Sequence, residues 1–392
     1  MGTFAQSITV DALENDPYPI YARLRAEEPV AWVPAVNCWL VTQAVDVEVV
    51  CTRTEWFTAQ APDSPVDISF GGATLMTMDG AEHLELRRGL DAKFRPRVVA
   101  TYIDSLVSPI AQQALDRLLA KPERTAELMS EYFEPISVLS LGQVLGLGHL
   151  SAQTLQDWFH GLAMGATNFE QDPHKQAISD ATAADIDAQL RPLMQHLQQH
   201  PDDSTIAAML TSGCPAGSFR AIEQVMPSLK VVLLGGMQEP GHGAGSCLTA
   251  LLQHPDQLTW LRANPQHWDD AVHEALRWVA PIGTQQATAV TDVELGGARI
   301  PQGDLVSAVV ASACHDESLF DDPARFDIRR PRRANAAFGY GPHFCAGHQF
   351  ARDLERISLQ LLVDAMPNLE LTEPVTFRGW EFRAPTGLKV RW

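Results

Sequence analysis

A long apolar segment in the middle of the chain most constrains its fold. Residues 228–252 are apolar or small nearly all round, and a helix of that composition is buried because no face of it suits water. Pro240 lies within the segment. It lacks an N–H and clashes with the carbonyl of Gly236, which predicts that the helix opens there. The segment therefore predicts a globular core built around a central helix that is interrupted near its middle.

Charge and targeting signals narrow the class of protein. The 392 residues carry a formal net charge of −19, which argues against nucleic acid as a partner because phosphate backbones are bound by basic surfaces. No stretch reaches the roughly 18 apolar residues of a membrane span, and the N-terminal residues lack the pattern of a secretion signal. The six cysteines show no C-x-x-C spacing, as in reduced cytosolic proteins. We expect a soluble, cytoplasmic protein that binds neither nucleic acid nor membranes.

The spacing of apolar residues predicts a mainly α fold with a minor β portion. Helices are expected over residues 17–26, 82–210, 228–252 and 265–280, and strands over residues 30–32 and 39–42 and around the Gly296-Gly297 turn. A closing helix should run to about Met366, followed by one short hairpin. No repeat or linker divides the chain, so residues 1–392 are expected to form a single domain.

Near the C-terminus one cysteine stands among glycines and runs directly into an amphipathic helix. Gly339 and Gly341 precede Cys345, and Gly347 follows it. Glycines let backbone or a flat ligand approach closely. The helix N-terminus favours negative charge and is expected to lower the pKa of the thiol. A structural thiol, a nucleophile and a metal ligand all remain open, and the loop favours a thiolate presented in a shaped site.

The run from Phe338 to Gly347, FGYGPHFCAG, resembles the haem-binding signature of the cytochrome P450 family. The resemblance implies the cytochrome P450 fold, with haem b (iron protoporphyrin IX) between the long central helix and the helix after the cysteine loop. It implies that Cys345 is the axial thiolate ligand of the iron, and that Phe338, Gly347 and Gly236 bind the cofactor. A thiolate ligand favours cleavage of the O–O bond over reversible oxygen binding.

A second match to the family lies on the helix before Pro281. Glu274 and Arg277 match its E-x-x-R motif. Residues three apart share a helix face, so the two side chains can form a structural ion pair. The resemblance implies Arg325 as the third partner of this pair.

A third match concerns the propionates of the haem. His83 and Arg87 lie in a segment, AEHLELRRGL, that resembles the one whose His and Arg bind propionates, and one helical turn brings both to the same face. His343 stands where the family has another propionate contact. The Arg that the family often carries after the E-x-x-R helix is absent, and Gln285 and Gln286 are the polar groups left there.

The central helix departs from the family pattern. The family usually has an acid followed by Thr, which manage protons during oxygen activation, whereas this chain has Gln238 followed by Glu239. We expect both at the catalytic site, with Glu239 as proton relay and water anchor. A carboxylate in an apolar helix is costly to bury without such a role. The alternative is a kinked core helix with a solvated Glu239.

Aromatic and aliphatic residues in segments that resemble substrate-contact regions of the family predict the substrate site. The predicted substrate-binding residues are Phe70, Phe169, Val232, Gly236, Ile282 and Phe382. Three phenylalanine rings would enclose a small flat aromatic molecule. The segment Gly-Gly-Met-Gln-Glu-Pro, together with these positions, resembles bacterial members that O-demethylate methoxyphenols such as guaiacol. The expected function is a monooxygenase that uses O2 to O-demethylate a small aromatic substrate, with release of formaldehyde.

Electrons are expected from a separate redox partner, a ferredoxin or a flavin reductase, because the chain shows no flavin or iron–sulfur motif. The sequence, although acidic as a whole, has two clusters of basic residues. The first consists of Arg87, Arg88, Lys93, Arg95 and Arg97, and the second of Arg329, Arg330, Arg332 and Arg333. They predict a docking patch for an acidic partner, with an ordinary solvated surface as the alternative.

Four other functions remain open from the sequence. Two are enzymatic variants: a hydroxylase of another small hydrophobic substrate, and a peroxygenase driven by peroxide. A haem-thiolate sensor would need the cofactor but no substrate site. A hydrolase with a cysteine nucleophile would need no haem.

Overall fold

The computed structural model describes residues 3–61, 64–168 and 171–392. Helices make up most of it. Labelled α1 to α16 along the chain, they are Val10–Asn15, Pro17–Glu27, Ala44–Thr52, Pro65–Phe70, Gly80–Phe94, Pro96–Leu119, Glu134–Leu145, Ala152–Ala166, Pro173–Gln199, Thr205–Thr211, Ile222–Met237, Glu239–Gln253, Pro255–Ala263, Trp268–Trp278, Val310–Ala313 and His348–Ala365. Single 3₁₀ or π turns lie at Ala5–Ser7, Pro34–Val36, Met129–Phe133, Pro265–His267 and Gly341–His343.

The strands are short and confined to four small sheets. Labelled β1 to β12, they are Val30–Val33, Cys38–Val41, Phe57–Thr58, Thr125–Glu127, Gln285–Ala289, Val293–Leu295, Ala298–Ile300, Leu305–Ala308, Glu370–Leu371, Phe377–Arg378, Ala384–Pro385 and Lys389–Arg391. The largest sheet has the order β1-β2-β8-β5-β3, with β2 and β8 parallel and its other pairs antiparallel. The expected mainly α fold with a minor β portion is confirmed.

Buried apolar side chains of the helices and of the large sheet form one connected core through the described residues. The central segment lies deepest, because every residue of α12 from Glu239 to Leu251 is buried. In the part of the chain that the structure describes, no helix has the length and apolar character needed to cross a membrane.

The central helix is interrupted where the proline predicts. Helix α11 ends at Met237 and α12 begins at Glu239, with Gln238 between them. Pro240 occupies the first turn of α12, where its missing N–H is tolerated, and it leaves the carbonyl of Gly236 without an intrahelical partner. The opening is confirmed, although the segment forms two helices and begins earlier than expected, at Ile222.

The E-x-x-R pair forms as predicted, but its third partner differs. Arg277 binds both carboxylate oxygens of Glu274 at 2.8 Å, and both side chains are buried. The side chain of Arg330 donates from Nε to Glu274 Oε1 at 3.2 Å. Arg325 offers only its backbone carbonyl to Arg277, while its own side chain is 59% exposed and lies 3.7 Å from Asp327. The prediction of Arg325 was therefore wrong, because its loop turns the side chain outward.

The C-terminal strands divide between two sheets instead of forming the single predicted hairpin. Strand β10 pairs with β11 over two residues on each side. The last strand, β12, leaves this pair and lies between β4 and β9. The turn between β10 and β11 reaches back to the segment after α14, where Ile282 and Phe382 form an isolated bridge. This contact brings the C-terminal turn to the site described below.

The two arginines provide a test of the corrected ion-pair network. Arg330→Leu should destabilise the protein by about 1.5–3 kcal/mol, because a buried carboxylate loses a charge-assisted hydrogen bond. Arg325→Leu keeps the backbone carbonyl that Arg277 uses, so it should change the free energy of unfolding by less than about 0.5 kcal/mol. Thermal midpoints of the two variants give the comparison. A larger loss for Arg325→Leu would restore the original assignment.

Candidate functional site

A cavity of about 1170 Å³ lies between the interrupted central helix and the cysteine loop. Gly235, Gly236 and Glu239 line it from the central helix, and Cys345 and Gly347 line it from the loop. A Cβ added at Gly235 would meet no atom within 4 Å, so this stretch of helix leaves open space. Pockets for one small ligand span about 300–1,000 Å³. The cavity therefore has room for a large group together with a small molecule.

The cysteine loop is held in a conformation that requires glycine. Gly339 and Gly341 have φ values of +70° and +68°, in the left-handed region that glycine adopts without strain. A Cβ at Gly341 would also collide with the carbonyl of Cys51. The backbone N–H of Cys345 donates to the carbonyl of Phe338 at 3.0 Å. These constraints direct the sulfur of Cys345 toward the cavity.

Burial raises the pKa of the Cys345 thiol, opposing the backbone hydrogen bond from Gly347 and the charge of Arg87, which lower it. The sequence predicted a lowered pKa, and that prediction was wrong. The reason is burial of the sulfur, which outweighs these lowering contributions, while α16 itself begins only at His348. Without a cation beside it, Cys345 is a neutral thiol and a poor nucleophile, whereas a bound metal ion would deprotonate it outright.

The protein alone supplies too few ligands for a metal at this sulfur. Among the described residues, no group of three or more His, Cys, Asp or Glu side chains could hold a metal ion. A metal bound by Cys345 must therefore bring its other ligands with it, as the iron of haem does. The volume of the cavity and the space around the sulfur fit such a group.

The residues predicted to bind propionates lie together at one side of the cavity. The rings of His83 and His343 stack with their centroids 4.4 Å apart, and Arg87 donates to the carbonyl of Phe344 at 2.6 Å. His83 is 1% exposed, and its Nε2 has no hydrogen-bond partner among the described residues. Burial, together with the charges of His343 and Arg87, lowers the pKa of His83 to about 4.

These three side chains are suited to a carboxylate. A buried ring nitrogen without a partner is costly unless a ligand supplies one. Arg87 and His343 line the cavity, although each is already held, by Asp91 at 2.6 Å and by Asp79 at 3.0 Å. His83 does not itself line the cavity and packs against the ring of His343. A haem propionate would complete the hydrogen bonding of His83. The individual propionate contacts stay predictions.

The glutamine pair after α14 does not supply a cation in place of the missing Arg. Gln285 accepts a long hydrogen bond, 3.4 Å, from the N–H of Tyr340. Gln286 turns the other way and donates to Glu381 at 3.2 Å. Both glutamines line the cavity, so they contribute polar contacts but no positive charge.

The interrupted helix separates the two predicted catalytic residues. Glu239 lines the cavity, is 7% exposed, and neither of its carboxylate oxygens has a partner among the described residues. Burial raises the pKa of Glu239 to about 8. Gln238 instead directs its amide to His160, at 3.4 Å. Consecutive helical residues point about 100° apart, so only one of the two faces the cavity, and the expectation that both do was wrong.

The predicted substrate residues fall into three groups. Val232, Gly236, Ile282 and Phe382 line the cavity. Phe70 is buried in the core at the end of α4, where its carbonyl accepts from Lys230, so its prediction as a substrate contact was wrong. Phe169 lies outside the described residues. An enclosure by three phenylalanine rings is therefore not what the described residues form.

Two carboxylates that line the cavity, one buried and one half-buried, were not predicted from the sequence. Glu355 on α16 and Glu381 in the β10–β11 turn both line the cavity. Burial raises the pKa of Glu355 well above its usual value, and that of Glu381 to about 7. The sequence held a signal for each, since Glu355 follows Leu354 of the apolar stripe and Glu381 stands beside Phe382. An acid next to a core position is the pattern that would have found them.

Similarity to known proteins agrees with this geometry. The family model of cytochrome P450 matches residues 266–364. The cytochrome P450 monooxygenase PikC of Streptomyces venezuelae is 29% identical over 391 residues, covering 96% of this chain and 91% of PikC. Nocardicin C N-oxygenase of Nocardia uniformis subsp. tsuyamanensis is 29% identical over 402 residues, covering 97% of each chain.

A solved structure shows the same fold over nearly the whole chain. P450BioI, in complex with an acyl carrier protein ligated by hexadec-9Z-enoic acid, has a TM-score of 0.88 at 25% identity, covering 98% of this chain and 100% of its own. The chain described here belongs to the cytochrome P450 family and is a monooxygenase of that family with haem as its cofactor.

Proposed function

We propose that this monooxygenase removes the methyl group from a small methoxyphenol such as guaiacol. The segment at residues 235–240 supports the proposal by its resemblance to bacterial methoxyphenol O-demethylases. Val232, Ile282 and Phe382 offer an apolar wall for an aromatic ring. The observation that carries the proposal is the buried, unpartnered carboxyl group of Glu239 at the helix break, in the same cavity as Cys345.

The proposed reaction consumes one O2, two electrons and two protons for each methyl group. One oxygen atom is inserted into a C–H bond of the methoxy group, and the other leaves as water. The resulting hemiacetal breaks its C–O bond, so that guaiacol yields catechol and formaldehyde. The protein must therefore hold the ring, exclude bulk water and deliver protons in step with the electrons.

The cofactor would be held from two directions. Cys345 would ligate the iron, while His83, Arg87 and His343 would bind its carboxylates. When bound, haem with a thiolate ligand supplies the oxidising chemistry. Burial favours the neutral thiol of Cys345 when no metal ion is bound. Formation of the thiolate would therefore depend on binding of the metal.

Glu239 would move protons at its carboxyl oxygens. A pKa of about 8 keeps this group protonated at pH 7, and a group with a pKa near the working pH is an efficient general acid. Glu239 and Cys345 line the same cavity. A protonated Glu239 can donate to a water molecule there and be protonated again.

We propose that a ferredoxin or a flavin reductase docks on the side of the cysteine loop. Arg88, Arg95 and Arg97 are exposed on and after α5. Phe344, whose carbonyl accepts from Arg87 of the same helix, is 37% exposed. Exposed cations together with an exposed apolar side chain suit an acidic partner. Arg330 of the second basic cluster forms an ion pair with Glu274. It therefore contributes less to the docking patch than the sequence predicted.

We also propose that the enzyme works in the cytoplasm. All six cysteines lie in the described part of the chain, and each is a free thiol. Buried free thiols are typical of proteins from reducing compartments.

The proposed activity is tested by turnover with guaiacol. The haem-loaded enzyme, supplied with O2 and an electron-transfer system, should form formaldehyde and catechol in equal amounts. The same mixture without enzyme is the control. Hydroxylation of the aromatic ring with the methoxy group intact would contradict O-demethylation.

Replacement of the cysteine tests the assignment of the axial ligand. Cys345→Ser should hold haem weakly or lose it, and its reduced, CO-treated form should lack the red-shifted Soret band of thiolate-ligated haem. Cys214→Ser, at a half-buried thiol away from the cavity, should keep that band. If Cys345→Ser kept the band, the thiolate would have to come from another residue.

The role of Glu239 is tested by coupling, the amount of product formed per reductant consumed. Glu239→Gln keeps the size of the side chain but removes its proton, so coupled product should fall by about 10²–10⁴-fold, with peroxide taking up the difference. In the parent enzyme coupling should fall as the pH rises through about 8, because the raised pKa of Glu239 means that its proton is lost there. This pH dependence should be absent from Glu239→Gln.

Asp304→Asn is the matched control for that experiment. Asp304 also lines the cavity, but its carboxylate already accepts from Trp39 Nε1 at 2.9 Å. Its replacement should leave coupling unchanged. Equal coupling in the parent and Glu239→Gln would make Glu239 a structural carboxyl group.

A further inference from the structure

The turn between β10 and β11 carries a carboxylate into the substrate side of the cavity. Glu381 lies beside Phe382, which bridges to Ile282, and all three residues line the cavity. The carbonyl of Glu381 accepts from the N–H of Gly283 at 2.8 Å. A Cβ at Gly283 would collide with the carbonyl of Trp380, so the turn is closely packed against the segment after α14. The position of Glu381 is therefore fixed by backbone contacts.

The side chain of Glu381 is only partly satisfied by its neighbours. Its Oε2 accepts from the hydroxyl of Thr284, and its Oε1 accepts from the amide of Gln286. An ionised carboxylate has about four acceptor sites, so further hydrogen bonds can be accepted from inside the cavity. Gln286 adds a carbonyl oxygen, Oε1, that has no partner among the described residues. The cluster therefore presents unused acceptors and few donors.

No cation of the cavity wall neutralises Glu381. Among the described residues that line the cavity, Arg87 carries the only guanidinium or ammonium group, and Asp91 binds it. The nearby charged group on α1 is Glu14, a second acid, which together with burial raises the pKa of Glu381. Tyr21 and Cys38, whose pKa values the charge of Glu381 raises, are neutral neighbours. A buried carboxylate without a cation is costly unless a ligand donates to it.

We propose that Glu381 is the specificity-determining residue that accepts a hydrogen bond from the phenolic hydroxyl of the substrate. The inference rests on the proposed function, because it takes the hydroxyl as the donor that a methoxyphenol offers. Phe382 and Ile282 hold the aromatic ring beside Glu381, and the hydroxyl donates to an acceptor site of Glu381 that would otherwise have no hydrogen-bond donor. A ligand without the hydroxyl leaves the remaining acceptor sites of Glu381 unused, and polar groups left without a partner in a binding site discriminate strongly against such analogues.

The test compares guaiacol with a methoxyarene that lacks the hydroxyl donor and carries one more methyl group. Guaiacol has the hydroxyl, and 1,2-dimethoxybenzene replaces it with a methyl ether. The parent enzyme should bind guaiacol about 10- to 150-fold more tightly, the range expected for a hydrogen bond to a charged group. Dissociation constants come from the spin-state change of the ferric haem spectrum on binding, and from equilibrium dialysis as a check that does not use the haem.

Variants of Glu381 test whether this residue causes the preference for guaiacol. Glu381→Leu should reduce the affinity ratio of the two ligands to about one, and Glu381→Gln, which keeps a neutral acceptor and guards against misfolding of the leucine variant, should leave a ratio of about 2 to 10. Asp304→Asn should keep the parent ratio. A parent ratio near one, or a ratio unchanged in Glu381→Leu and Glu381→Gln, overturns the proposal. Loss of haem from these variants with the ratio retained would assign Glu381 to the cofactor instead.

The binding experiment is separable from the proposed reaction. If guaiacol binds with the expected preference but releases no formaldehyde, O-demethylation fails and the role of Glu381 stands. If formaldehyde is released while both ligands bind equally, O-demethylation stands and the role of Glu381 fails.

Discussion

The interruption of the central helix opposite Cys345 is the constraint on which the rest of the site depends. Pro240 cannot continue the hydrogen-bond ladder of α11, so the helix restarts at Glu239. Gly235 leaves open space on the facing surface, whereas a side chain at Gly236 would run into Leu141. A continuous helix with larger residues would fill this space, and no cavity would remain next to the cysteine loop. One proline and two glycines therefore create the volume that the cofactor and the substrate share.

Burial in the cavity raises the pKa of several acidic groups, and this property connects the sites within it. Burial raises the pKa of Cys345, Glu239 and Glu381 alike, because a charged group loses the stabilisation of water. Each group then responds to a different incoming partner. A metal cation favours the thiolate of Cys345, a substrate hydroxyl favours ionised Glu381, and Glu239, which meets neither, retains a transferable proton. Glu239 and Glu381 are the same type of residue, so their different proposed roles follow from their positions in the cavity.

Local patterns in the sequence were sufficient to predict the main helical stretches, the interruption at Pro240 and the Glu274–Arg277 pair, since each depends on residues within a few positions. The shorter helices α1, α3, α4 and α13 were not predicted. Contacts between distant loops were not predictable. Arg330 rather than Arg325 reaches Glu274 because loop geometry decides which side chain turns inward. Phe70 enters the core because of the packing of α4. The pKa of Cys345 depended on where α16 begins and on burial from all sides, which no local pattern encodes.

The absence of an arginine after α14 is related to the presence of Glu381 in the turn between β10 and β11. An arginine in place of Gln286, which is 3.2 Å from Glu381 Oε1, would form an ion pair with that carboxylate and occupy its acceptor sites. With glutamine there, Glu381 keeps acceptors for a ligand, and the cofactor carboxylates are left to the side of α5, where His83 has an unpaired nitrogen. On the proposed roles, the cofactor carboxylates would lie on the side of α5 and the substrate would lie beside Glu381. A substrate that donates a hydrogen bond fits beside Glu381, and one that carries a carboxylate does not.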